Sequence, residues 1–131
     1  MSIKESWVAN IKCFILQSNS VSQSTAAYIN YYKGLNVYTS FGFGNTAQVT
    51  WISFTGEGQT TSEGIFPVLL YYRLRDKLIL SYGISATKTP SLNWPKELDI
   101  PTIKQYFKDN GNLKGKDINK YQNSLFIWMF F

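Results

Sequence analysis

Two apolar runs, Phe66 to Arg73 and Lys77 to Ile84, are separated by only Leu74, Arg75 and Asp76, and this spacing limits the fold more than any other feature of the chain. Both runs are rich in β-branched and aromatic residues and read as strands. Three residues can close a hairpin, whereas a parallel crossover takes a dozen or more, so the two strands pair antiparallel. Leu35 to Phe41 and Val49 to Thr55 have the same composition and are bounded by turn-forming residues, which gives four central strands. The tail YQNSLFIWMFF has the apolar density of a final buried strand.

Around these strands the pattern is helical. Ile3, Trp7, Val8, Ile11, Phe14 and Ile15 recur at helical spacing, and Ser2 with Glu5 has capping-box form, which predicts an amphipathic helix over residues 2–17 whose apolar stripe covers a sheet. The run SNSVSQSTAAYINYYKG predicts a second short helix that starts near Ser22 or Ser24 and ends before Gly34. A third is expected over Pro101 to Phe107, with the proline at the first helical position and Asn110-Gly111 as the stop. SATKTPSLNWP and NLKGKDINK read as loops, the second of them basic. The expected fold is α+β: a mostly antiparallel sheet with an N-terminal amphipathic helix and further short helices packed on it. At 131 residues the chain fits a single domain spanning 1–131.

Composition removes whole classes of chemistry. Cys13 is the one cysteine, so no intramolecular disulfide forms, and its apolar helical setting predicts a buried, inert thiol in a reducing cytoplasm. With no histidine, zinc fingers, Ser-His-Asp triads and histidine general bases are excluded within these residues. No phosphate-binding loop of the G-x-x-x-x-G-K-[ST] type is present, and an enzymatic reading rests on Glu57 and Glu63 alone. We expect a non-catalytic chain with no cofactor and no metal. The start carries no secretory signal pattern, and no run reaches the ~18 apolar residues that span a bilayer, so neither secretion nor membrane insertion is expected. A net charge of +5 favours an anionic partner, with nucleic acid foremost.

The candidate recognition surface lies between Ser40 and Tyr72. Gly42 and Gly44 bracket Phe43, a setting that turns the backbone sharply and presents the ring at a loop tip, where it can act as a wedge. Gly56, Gly58 and Gly64 enclose the polar run Glu57 to Glu63, and two such loops beside one sheet edge would form a pocket. Trp51 and Leu70 fall in strands, where core packing is the default reading. Phe66 opens a strand, so packing and contact both stand for it. Tyr121 joins the basic loop to the last strand.

Four segments then occur in order: SFGFGN, W-x-x-F-x-G-E-G-Q, G-I-F-P-V-L-L-Y-Y and L-x-x-S-Y-G-I-S. Together they resemble the DNA-binding N-terminal domain of the McrB family, the GTP-dependent subunits of McrBC modification-dependent (type IV) restriction systems. The resemblance runs from the Ile3 to Phe14 stretch to Lys120-Tyr121. It implies recognition of modified cytosine, 5-methylcytosine or a related base after a purine, in double-stranded DNA by rotating the base out of the stack. Such a base needs flat walls, hydrogen bonds to its edge and a plug for the vacated stack, because unstacking costs a few kcal/mol. By resemblance Trp51, Leu70 and Tyr121 form the base pocket, Phe43 is the intercalating ring and Phe66 lies beside the DNA. Family tyrosines stand at positions 43 and 66, so two hydroxyls are missing here. GTPase and McrC-type nuclease activities would reside in other domains or subunits.

Phosphate contacts are expected from Lys33, Arg73, Arg75, Lys77, Lys114, Lys116 and Lys120, all in or beside loops. Ser22, Gln23, Ser24 and Thr25 are expected to contact phosphate from a helix start. About five phosphate contacts would give a log-log salt slope on the order of −4. A general or single-stranded nucleic-acid reader, or a reader of a different modified base, would use the same rings and charges.

Overall fold

A computed structural model describes residues 7–56, 65–84, 100–110 and 115–130. Six strands, β1 (Tyr31–Tyr32), β2 (Leu35–Phe43), β3 (Asn45–Thr55), β4 (Ile65–Tyr72), β5 (Lys77–Ile84) and β6 (Leu125–Met129), lie in one sheet in sequence order. Every neighbouring pair is antiparallel. With helices α1 (Trp7–Ser18) and α2 (Ile103–Asp109), the fold is α+β, as the hairpin spacing and strand composition imply. None of the described helices is long and apolar enough to cross a membrane.

Alternation along the strands splits the apolar residues between the two faces. On one face Val37, Phe41, Ile52, Leu69, Tyr71 and Leu78 receive Phe14 of α1. The α1 end is fixed by a buried 2.7 Å hydrogen bond between the hydroxyls of Ser18 and Thr50. On the other face Val49, Phe66, Val68, Leu70, Tyr72 and Ile79 pack under Ile103 and Phe107 of α2. Trp51 and Phe126 pack against this second cluster from its rim.

Three expectations are corrected. Residues 22–33 form no helix: Thr25 to Tyr28 make a turn that drops Tyr28 against Phe41, with ring centroids 5.4 Å apart. The chain then enters β1, and Lys33 (φ 47°) and Gly34 (φ 86°) supply the two positive φ angles of a tight hairpin turn into β2. A Lys-Gly pair that reads as a helix stop is here a hairpin turn. In α2 the proline precedes the helix; Thr102 is the cap, and its hydroxyl accepts from the Gln105 N–H at 3.2 Å. Finally, β6 is an edge strand: Leu125 is buried, yet Trp128 and Phe130 are 63% and 50% exposed. The predicted Ser2–Glu5 cap and the Glu57–Glu63 run lie outside the described residues.

Sequential antiparallel pairing also sorts the turns between two ends of the sheet. The β2–β3 and β4–β5 turns share one end with the close of β6, where the Phe130 N–H donates to Leu78 O at 2.9 Å. The Lys33-Gly34 turn and the attachment points of residues 57–64, Gly56 and Ile65, lie at the other. The expected pocket between the two glycine-rich loops therefore has its anchors at opposite ends of β3.

Burial raises the hydroxyl pKa of five tyrosines. Tyr28 is pushed up to about 12, with Cys13 adding to the effect, and burial is the first cause of the upward shifts at Tyr71, Tyr72, Tyr106 and Tyr121. Below the unfolded value of about 10 every one of these phenols is protonated in both states, so their contribution is fully present. Above it the unfolded chain ionises first and stability is lost as pH rises through the folded values. The urea midpoint should therefore be level between about pH 8 and 9 and fall steadily from about pH 10 upward. A midpoint that stays flat to about pH 11.5 contradicts this.

Candidate nucleic-acid interface

The β2–β3 hairpin carries the most exposed ring of the described chain. The ladder shifts register between Ser40 and Gly42, then resumes with Gly42 opposite Thr46 and Phe43 opposite Asn45. Gly42 (φ 106°) and Gly44 (φ 78°) take conformations that disfavour side chains. A Cβ at Gly42 would lie 2.6 Å from Ala47 N and 2.7 Å from Asn45 O, so the hairpin closes only over glycine. The shift sends Phe41 into the core and leaves Phe43 fully exposed at the tip.

Trp51 and Leu70 are direct partners across β3 and β4. Leu70 is fully buried, whereas Trp51 is half-buried at the edge of the same cluster. Tyr121 reaches them from a distant segment. A short 3-10 helix, Lys116–Asn119, precedes it, and Tyr121 itself adopts φ 57°. The indole N–H of Trp51, which can only donate, stands near enough to the Tyr121 hydroxyl to offset part of the upward pKa shift caused by burial. That hydroxyl stays protonated through neutral pH and keeps its own O–H as a donor. Tyr121 is 36% exposed, so part of it is open to solvent.

Two contacts hold the Tyr121 segment to the sheet. The Tyr72 hydroxyl donates to Lys120 O at 3.3 Å. Arg75 forms a two-point ion pair with Asp117, Nε to Oδ2 at 2.9 Å and Nη2 to Oδ1 at 3.0 Å, while its guanidinium lies 5.5 Å from the Phe107 ring centre. Asp117 is 3% exposed. Arg75 is therefore committed to an internal anion, which corrects its expected place among the phosphate ligands. No local spacing signals this pair, since the partners are separated by 42 positions.

The remaining candidates separate by position. Lys116 and Lys120 are exposed on the segment that carries Tyr121. Arg73 turns back on the hairpin, donating from Nε to Ala47 O at 2.8 Å and from Nη2 to Thr46 O at 3.4 Å. Lys77 opens β5 at the Phe43 end. Lys33 stands at the opposite end of β2 from Phe43, roughly 27 Å away along a nine-residue strand, with its ammonium 5.4 Å from the Tyr32 ring. Lys114 lies outside the described residues. Phe66 is 7% exposed and packs into the α2-side cluster, so its ring is part of the core.

Ser22 to Thr25 form a loop with no helix start, so no helix dipole serves them. Gln17 organises this loop: its Nε2 donates to Ser22 O at 3.2 Å and to Ser24 O at 2.7 Å, and its Oε1 accepts from the Tyr28 hydroxyl at 2.9 Å. Ser22, Ser24 and Thr25 are exposed and Gln23 is half-buried. Thr46 of the Phe43 hairpin donates from its hydroxyl to Ser20 O at 2.8 Å, which seats the loop beside the hairpin. A groove of about 410 Å³ lies behind this loop, lined by Cys13, Leu16, Gln17, Ala27 and Tyr28 among others, and shares no residue with the Trp51 group. Among the described residues no group of three or more Cys, Asp or Glu is placed to hold a metal ion.

No protein-family model matches the chain. Over 118 residues, 88% of its length, it is 44% identical to the type IV methyl-directed restriction enzyme EcoKMcrB subunit of Escherichia coli strain K12. The resemblance to McrB holds. The chain spans 25% of the length of that McrB subunit. The McrB-like segments SFGFGN and G-I-F-P-V-L-L-Y-Y fall on the β2–β3 hairpin and on β4, the two places where Phe43 and Leu70 stand.

Removing one partner of a buried ion pair leaves the other uncompensated, a loss of about 3 kcal/mol or more. Asp117→Ala should lower unfolding free energy by about that amount in urea titration, whereas exposed Lys116→Ala should stay within about 0.5 kcal/mol of the parent.

Proposed function

We propose that this chain is a non-catalytic DNA-recognition domain, a single folding unit that reads modified cytosine in duplex DNA for a cytoplasmic type IV restriction system. The observation that carries the reading is a fully exposed Phe43 on a glycine-closed hairpin together with Tyr121 set beside Trp51, whose partner across the strands is the buried Leu70. The McrB relative supports it, being named as a subunit of a methyl-directed restriction enzyme. In this mechanism Phe43 enters the stack and fills the gap left by the rotated base. The base lies against the Trp51 and Tyr121 rings above Leu70, and the Tyr121 O–H donates to its edge. Lys77, Lys114, Lys116 and Lys120 neutralise phosphates, and the hydroxyls of Ser22, Ser24 and Thr25 contact the backbone beside the hairpin. GTP hydrolysis and cleavage belong to a McrB-type GTPase module and a McrC-type nuclease partner.

Phenylalanine at position 43 supplies stacking alone, since it lacks the hydroxyl that a tyrosine would offer to phosphate or a base edge. Stacking of one base on one ring is worth about 1–3 kcal/mol, enough to offset much of the unstacking cost.

The deciding experiment compares binding of duplexes carrying cytosine or 5-methylcytosine after a purine, at fixed salt, with single-stranded and 5-hydroxymethylcytosine or N4-methylcytosine competitors. The methylated duplex should bind more tightly, and Trp51→Ala and Tyr121→Ala should each remove that preference while leaving weaker, salt-sensitive binding. Unchanged discrimination in both variants would refute the pocket. With Arg73 and Arg75 engaged internally and Lys33 remote, Lys77, Lys114, Lys116 and Lys120 remain, and the log-log salt slope should be roughly −3.6, a little shallower than the first expectation.

A further inference from the structure

We propose that Arg73 is a positioning residue for Phe43, a brace that stiffens the wedge instead of a ligand for phosphate. The inference rests on reading Phe43 as the intercalating ring. Pairing between β3 and β4 stops at Val49 opposite Tyr72; beyond it Asn45 and Thr46 pair with β2 alone, and Ala47 and Gln48 lie in the register shift with no partner across β2. An isolated two-stranded ribbon is marginal in water. Arg73 begins where that ladder ends. Its backbone N–H donates to Gln48 O at 3.3 Å, its Nε to Ala47 O at 2.8 Å and its Nη2 to Thr46 O at 3.4 Å. Three successive carbonyls of the hairpin thus meet donors from one residue, where a paired strand would reach only alternate ones. The Thr46 hydroxyl ties the same segment to Ser20 O on the opposite side.

Intercalation asks the ring to enter a stack that resists opening, so a hairpin already held in its working shape loses less freedom on binding. Arginine suits this brace because its planar fork can reach two carbonyls at once, whereas lysine offers a single flexible ammonium. The brace therefore depends on shape, and a phosphate contact on charge.

The test measures Arg73→Lys, Arg73→Gln and Phe43→Ala against the parent chain. The readouts are affinity for the 5-methylcytosine duplex, the salt slope on unmodified duplex, and amide hydrogen exchange of residues 43–48 in the free protein. Arg73→Lys should lose about tenfold in affinity for the methylated duplex, keep the parent salt slope on unmodified DNA and exchange its hairpin amides faster. Rescue by Arg73→Lys, together with a slope shallower by about one in Arg73→Gln, would overturn the brace in favour of a phosphate contact. Unaltered hairpin exchange in both Arg73 variants would overturn it as well. If Phe43→Ala binds the methylated duplex like the parent, the wedge reading itself fails; if Phe43→Ala is weakened and the Arg73 variants are not, only the brace fails.

Discussion

Strict sequential antiparallel pairing is the constraint on which the rest of this molecule depends. In such a meander each strand reverses the last, so alternate turns fall at the same end whatever their sequence. That rule places the Phe43 turn, the Arg73 turn and the close of β6 together, and it sends Lys33 to the other end. The candidate surface is thus assembled by topology first and by side-chain chemistry second. Buried contacts then fix each element: Phe14 under α1, Phe107 under α2, and the Ser18–Thr50 hydroxyl pair at the helix end.

The strands were legible because their signal is local. Alternation of Val, Ile, Tyr and Phe between turn residues gave β2 to β5 within a few positions, and the three-residue gap at Leu74 to Asp76 fixed the pairing of β4 with β5. The lost helix at 22–33 shows where local reasoning ends. Two alanines and a tyrosine run favour helix weakly, but Tyr28 gains more by burial against Phe41 and Gln17 than a short helix gains from propensity. Tertiary contact decided the outcome, and the positive φ at Lys33 and Gly34 then turned a helix stop into a hairpin.

The candidate site was legible in a different measure. Phe43 could be placed from its flanking glycines, because a backbone requirement is written into residue type. Tyr121 could not be joined to Trp51 without the family resemblance, since they come together across 70 positions by a chain path that no spacing encodes. The cations were the least readable. Charge counts treat Arg73, Arg75 and Lys116 alike, yet one holds backbone carbonyls, one holds Asp117 and one is exposed. Arginine beside a turn is as suited to internal bracing as to phosphate, and only the position of acceptors separates the two.

The two margins of the sheet are unlike each other. β1 is blunted by its length of two residues, while β6 is blunted by cover: Thr102 bridges Leu125 from outside and the Phe126 N–H donates to Pro101 O at 2.9 Å. Among the described residues, a strand from outside would find only a short template on either margin. The sheet is closed to lateral growth by two different devices, and neither border of the described chain presents a row of backbone groups long enough to seed a fibre.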